Sequence, residues 1–288
     1  MKQFRWKLEK QLLGKMPDDK LALLPSGFQR IGDIIILNLK PGLERFDGKI
    51  GKAVLKTYPD AKTVCAKSGA IGGELRVPQI RRIAGNGTET VHTENRCRYR
   101  LDVAKVMFAK GNARERGRLP GLVNPGEVVV DMFAGIGYFT IPIARHAKPA
   151  EIHAIEKNPD AAEFLKENVK MNRASNTEIE IRENDNRKVK LPGIADRVIM
   201  GYFYKNNPVD NFLPVAFNFL KPKGGVIHYH NIFKRDELWN KPFGILERAG
   251  SKYGYVFNRG SFRKVVKEYS PGMVHVVVDA NFTKSLKS

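Results

Sequence analysis

Cysteine is nearly absent. Cys65 and Cys97 are the only two in 288 residues, with no CxxC pair and no histidine cluster beside either. That excludes a disulfide framework and a zinc site of ordinary spacing, and it fits a reducing compartment. No apolar run approaches the roughly 18 residues of a membrane-spanning helix. The opening MKQFRWKLEKQLLGK has neither a secretory apolar core nor a serine-rich transit composition, so the cytoplasm is the expected location. Internal repeats and low-complexity tracts are missing, which sets aside solenoids and arrays. Acid is short relative to base, at 30 Asp+Glu against 50 Lys+Arg, for a net charge of +20 and a pI near 9.9. Residues 1–125 hold 25 Lys+Arg against 12 Asp+Glu, so +13 of the excess lies in under half the chain. A polyanion such as RNA, DNA or an anionic membrane face is the partner class implied, weighed against a merely basic thermostable surface.

What is present centres on Glu127 to Ala144, EVVVDMFAGIGYFTIPIA. An apolar strand leads to Asp131, a turn carries Gly135 and Gly137, and the apolar period then changes from 2 to 3.6. Strand, glycine turn and helix open a nucleotide-binding α/β unit. Glycines there let the backbone turn tightly and a ligand come close. A dinucleotide site wants a third glycine where this chain has Thr140, and that disfavours a nicotinamide-dependent oxidoreductase. Asp131, four residues ahead of Gly135, suits a cationic ligand better than a pyrophosphate. The pattern Asp131-x-Phe133-x-Gly135-x-Gly137 resembles motif I of class I S-adenosylmethionine (AdoMet)-dependent transferases. Glu156 closes the next short strand, where an acceptor meets ribose hydroxyls.

Around this unit the chain reads in order. Residues 1–20 suggest a basic amphipathic helix with Phe4, Leu8 and Leu12 on one stripe, a docking helix rather than a membrane one. Phe28 onward, Val64–Ala66, Glu74–Val77 and Glu89–Thr93 suggest strands, and Val103, Val106 and Met107 a helical stripe. Asn158-Pro159-Asp160 is a helix start. Strands are expected at Thr177–Arg182, Arg197–Tyr202 and Gly225–Tyr229, and a closing hairpin through Ser270-Pro271-Gly272. His228 and His230 share a strand face but lack a third ligand, so packing or hydrogen bonding is preferred and no metal is expected. The expected division is a basic α+β domain at 1–98 that binds a polyanion and a Rossmann-like AdoMet-binding catalytic domain at 99–288.

The string Gly87-Thr88-Glu89-Thr90-Val91-His92-x-Glu94, then Tyr99–Asp102, Lys105-Val106, Phe108 to Asn112, Glu115-Arg116 and motif I, resembles one tRNA-modifying group. It contains the guanine-N1 methyltransferase acting beside the anticodon and the wybutosine-synthesis aminocarboxypropyltransferase. The resemblance implies a seven-stranded, mostly parallel sheet with a terminal antiparallel hairpin, behind a small basic domain. The methyltransferase branch has Ser-Pro-Arg where this chain has Ala109-Lys110-Gly111, and Asn-Pro-Pro where it has Gly201-Tyr202-Phe203. Asn207-Pro208 comes several residues too late. The resemblance therefore favours the aminocarboxypropyl branch, with tRNA position 37 as target and a sister methyltransferase as the alternative. It implies Arg116 on the methionine carboxylate, Glu156 on the ribose, Asp185 and Asn186 on the adenine, and Ala109 and Gly135 lining the pocket, with Lys110, Asp131, Phe133 and Gly137 beside them. Tyr202 is a candidate for stacking on the target base, or else a strand-end packing residue. A non-catalytic RNA-binding module fits the charge but leaves Glu156 and Asp185 unused.

Overall fold

The computed structural model describes residues 2–173, 177–203 and 208–285. It divides into two compact units, residues 1–93 with 98–108 and residues 94–97 with 109–288. The expected cut after residue 98 falls inside the hairpin that passes from one to the other.

In the first unit, α1 (Lys2–Leu12) and α2 (Asp18–Leu21) precede a four-stranded sheet. Its strands are β1 (Gln29–Ile31), β2 (Ile34–Leu37), β3 (Thr63–Lys67) and β4 (Ile80–Gly85), in that spatial order. β2 and β3 run parallel, which requires a crossover, and α3 (Asp47–Thr57) supplies it. Phe4, Leu8 and Leu12 pack with Ile35, Leu37, Ile50 and Val54, so α1 docks on this core as its stripe predicts. Burying one such leucine contributes about 1.5–3 kcal/mol.

Two local expectations fail here. Glu74–Val77 is a turn closed by the single bridge Gly72↔Val77, because Arg76 takes a left-handed φ of 56° that no strand continues. Val103–Met107 is not a helix. It follows the paired strands β5 (Glu89–Glu94) and β6 (Cys97–Asp102), and one turn satisfies it: the Asp102 carboxylate accepts the Ala104 N–H and the Asp102 carbonyl that of Val106. The helix comes later, as α4 (Ala113–Arg118).

The second unit is an α/β sheet. Its elements are β7 (Val128–Asp131), α5 (Thr140–His146), β8 (Glu151–Glu156), α6 (Pro159–Met171), β9 (Glu178–Glu183), β10 (Arg197–Met200), α7 (Leu213–Phe219), β11 (Gly224–Lys234), α8 (Lys241–Lys252), β12 (Tyr255–Phe257), β13 (Phe262–Ser270) and β14 (Met273–Lys284). The strand order is β12-β14-β11-β10-β7-β8-β9, with β13 also on β14. β11 through β9 are parallel; β14 and its partners are antiparallel. The expected hairpin is β13–β14. Eight strands replace the expected seven because β12, only three residues long, is too short to show alternation in the sequence. The helix start at Asn158 is as read: its side chain accepts the Asp160 N–H, with Pro159 in the first turn. From β7 the chain winds outward to β9, then returns to place β10 on the other side of β7. That switch point opens a crevice at the carboxyl ends of β7 and β10. Among the described residues no helix is long and apolar enough to cross a membrane.

Candidate active site

The glycine turn stands at that crevice. Gly135 and Gly137 have φ of 56° and 98°; a Cβ on the first would lie 2.3 Å from the Tyr138 ring and one on the second 2.5 Å from Ile141. Only glycine fits both positions. Three side chains brace the turn from separate elements. Glu156 Oε2 accepts the Gly135 N–H at 2.7 Å, Asn168 donates to the Ile136 carbonyl at 3.0 Å, and Asn186 donates to the Met132 carbonyl at 3.0 Å. Asn168 escaped sequence reading, although an amide on the buried stripe of α6 with Leu165 was a visible signal.

Asp131 is fully buried and points inward, not to an open cation site. It accepts the Thr140 hydroxyl at 2.8 Å and the Phe133 N–H at 3.4 Å. Thr140, noticed only as a missing glycine, therefore ties the helix start to the strand end. Burial pushes the Asp131 carboxyl up to about 7. An unfolded aspartate titrates near 3.9, so between roughly pH 4 and 7 the unfolded chain loses this proton first and stability falls as pH rises. Thermal midpoints should decline over that window by this contribution and level above it. Asp131→Asn should flatten the decline, and parallel profiles for both proteins would refute the assignment.

Glu156 closes β8, its other oxygen accepting the Asn158 N–H at 2.7 Å, and burial raises its carboxyl. Its remaining lone pairs suit ribose hydroxyls. Past β9, Asp185 accepts from the Arg187 backbone N–H at 3.0 Å and pairs with Lys157 at 3.1 Å; hydrogen bonding from Arg187 holds it well below the usual carboxylate range. Asn186 is 4% exposed, and its Oδ1 has no hydrogen-bond partner among the described residues. A buried acceptor in that state calls for a donor such as an exocyclic amine. Two opened glycines, a carboxylate at the strand end and an orphaned amide oxygen fit the adenosine part of AdoMet.

Phe133 and Tyr202 do come together. Their rings stack at 4.7 Å and 13°, and Phe212 meets both edge-on. Tyr202 is only 8% exposed, so one ring face is spent on Phe133 and the strand-end packing alternative describes it. Asn207 lies outside the described residues.

Arg116 is 2% exposed. Its guanidinium grips Glu94 with two bonds of 2.7 and 2.9 Å and donates to the Ala109 carbonyl at 3.0 Å. Glu94 stands in the string that carries the resemblance, but sequence reading gave it no role, and its pairing with Arg116 comes only from the fold. The ion pair fixes the segment in which Ala109 is extended and exposed Lys110 starts a single 3-10 turn. The Arg116 guanidinium also lies 5.9 Å from the Tyr138 ring, which places this segment beside the glycine turn. Over Gly111 passes the stem of Lys267, whose Cδ would stand 2.9 Å from a Cβ there; a Cβ on Gly201 would stand 2.7 Å from the Phe139 ring.

His228 and His230 are hydrogen-bonding residues. His228 donates from Nδ1 to Asp279 at 2.7 Å and accepts from Arg197 at Nε2, also at 2.7 Å, and burial lowers its pKa. Arg118 holds Asp279 at 2.6 Å and Arg197 holds Glu127 at 2.6 Å, which completes a buried chain of alternating charge. His230 lies 3.0 Å from His275, and burial drives its pKa down to about 3. Donor atoms of Glu151, His153 and Glu180 lie within 4.8 Å of one another, at the end of β8 opposite Glu156. There the His153 ring is bonded to Glu180 at 2.9 Å, and Arg182 takes the same carboxylate.

Residues 90–257 match the TRM5/TYW2 methyltransferase domain, and residues 8–88 the TYW2 N-terminal domain. The tRNA(Phe) (4-demethylwyosine(37)-C(7)) aminocarboxypropyltransferase of Methanocaldococcus jannaschii is 44% identical over 257 residues, 89% of this chain and 98% of that protein. The tRNA (guanine(37)-N(1))-methyltransferase Trm5b of Pyrococcus abyssi is 34% identical, over 92% of this chain and 77% of that one. The crystal structure of Pyrococcus horikoshii TYW2 in complex with MeSAdo superposes with a TM-score of 0.84 at 35% identity, covering 98% of this chain and all of that one. By the matched domain and by identity across nearly its whole length, the chain belongs to the TRM5/TYW2 family of transferases.

Proposed function

We propose that this protein transfers the 3-amino-3-carboxypropyl group of AdoMet to C7 of 4-demethylwyosine at position 37 of tRNA(Phe), a step in making wyosine derivatives. The observation that carries this reading is at Gly111 and Gly201. The methyltransferase branch acts with an arginine at the first position and Asn-Pro-Pro at the second. Here a side chain at 111 displaces Lys267, and one at 201 strikes Phe139. Neither methyl-transfer group is present in this chain, and C7 of the tricyclic base is itself electron-rich. The 44% identity to an aminocarboxypropyltransferase, against 34% to a methyltransferase, supports the same branch.

AdoMet supplies a sulfonium with three electrophilic carbons, and transfer of the larger group puts the electron pair of the broken C–S bond on sulfur, releasing methylthioadenosine, while C7 gives up its proton to water. This chain's contribution is positioning, which selects the carbon in line with the nucleophile. Glu156 orients the ribose, Asp185 and Asn186 the adenine, and the 135–137 backbone admits the nucleoside closely. Arg116 meets the methionine carboxylate while Glu94 fixes its plane, and Ala109 and Lys110 line the same end. The basic first unit binds tRNA around the anticodon, in the cytoplasm. Nucleoside mass analysis tests this: tRNA carrying 4-demethylwyosine should gain one aminocarboxypropyl group, and a gain of one methyl would reassign the protein to the methyltransferase branch.

A further inference from the structure

β13 carries an alternation that its sequence alone does not give. It reads FRKVVKEYS along the outside of β14, and in a regular strand Lys264 and Lys267, three apart, would point to opposite faces. A register shift between Val265 and Lys267 inserts one residue on the β13 side. Lys264 then stands opposite Val277 and Lys267 opposite His275, so both share one face with Phe262, which is opposite Asp279. Tyr269, two residues beyond Lys267, falls on the same side, where its ring meets Phe203 at 5.7 Å and Phe203 lies 4.6 Å from His275.

This face adjoins the active site. The Lys267 stem crosses Gly111, and Phe262 packs under Arg118 at 5.2 Å. The Phe262 and Tyr269 rings are 50% and 53% exposed. On the opposite face Arg263 stacks on Trp239 at 4.5 Å, and Glu268, the only acid of the strand, pairs with Arg235.

We propose that the row Phe262, Lys264, Lys267 and Tyr269 is an RNA-contacting surface of the catalytic unit, one that holds the single-stranded nucleotides flanking the target base. Its two lysines meet backbone phosphates and Tyr269 stacks under a base, the pairing of cation and ring by which single strands are bound. A protein strand adding to this edge is opposed by the same lysines. The inference rests on the tRNA reading above and extends it to particular residues.

The test compares Lys264→Gln/Lys267→Gln with the unaltered protein, using an anticodon stem-loop RNA over a range of salt and AdoMet by calorimetry. RNA affinity should fall about tenfold or more, and the log-log salt slope should become shallower by about 1.4, which is two contacts at about 0.7 each on a single strand. AdoMet affinity should not change. Tyr269→Ala should weaken RNA binding at every salt concentration without altering the slope. Lys241→Gln/Lys252→Gln, on α8 across the sheet, should leave both unchanged. An unaltered slope in the Lys264/Lys267 variant, or an equal loss in the α8 variant, would overturn the proposal. If the unaltered protein bound no RNA at all, the tRNA reading itself would fall instead.

Discussion

Replacing Arg116 with alanine should destabilise the protein by about 3–5 kcal/mol, because it strands the Glu94 carboxylate in a site only 11% exposed and removes the donor to Ala109. Adding Glu94→Gln should return much of the loss, since the penalty belongs to the unpaired charge more than to the missing bond. Calorimetric unfolding of the two single variants and the double gives the coupling directly. A loss under about 1 kcal/mol for Arg116→Ala would mean that the pair is solvated and idle. The same proteins report on ligand binding. Relative to Glu94→Gln alone, the double variant should bind AdoMet about tenfold more weakly, the loss of one charge-assisted bond of roughly 1.5–3 kcal/mol. Methylthioadenosine, which lacks the carboxylate, should bind nearly as before. Equal losses for both ligands would leave Arg116 as a brace for residues 109–112 only.

The second large effect concerns the small-molecule product. Incubation with AdoMet and tRNA carrying 4-demethylwyosine should release methylthioadenosine in proportion to tRNA modified, with S-adenosylhomocysteine near background. The two products arise from cutting different bonds at one sulfur, so chromatography separates them without ambiguity. The expectation follows from Gly111 and Gly201 themselves, which carry no side chain where the sister branch places its methyl-transfer groups. Stoichiometric S-adenosylhomocysteine would mean that another residue deprotonates guanine, and the aminocarboxypropyl assignment would fall.

Features that depend on neighbours in the chain were legible before any coordinates. The Asn158 cap, the Gly135 and Gly137 turn and the α1 stripe are settled within a few residues, so their spacing carries them. The Val103–Met107 error shows the limit of the same logic, since one turn buries that spacing as well as a helix does. Features that depend on pairing across the sheet were not legible. The resemblance implies Arg116 on a ligand carboxylate, and its pairing with Glu94 is not legible because Glu94 ends β5, 22 residues before this helix position. Tyr202 was a candidate for base stacking until Phe133 and Phe212 were seen to enclose it. Asp131 was placed correctly at the turn, but only the fold shows that it faces Thr140.

The buried chain from Arg118 through Asp279, His228 and Arg197 to Glu127 also sets a schedule for assembly. Arg118 and Asp279 are 161 residues apart, and Asp279 belongs to β14, which follows every other described strand in the chain. Until β14 inserts beside β11, Arg197 and His228 would sit in a dry interior with part of their partners missing, a costly state that disfavours early closure of the sheet. Contacts of such sequence separation form late and slowly. Consolidation of the catalytic unit around its glycine turn is therefore expected to wait for β14.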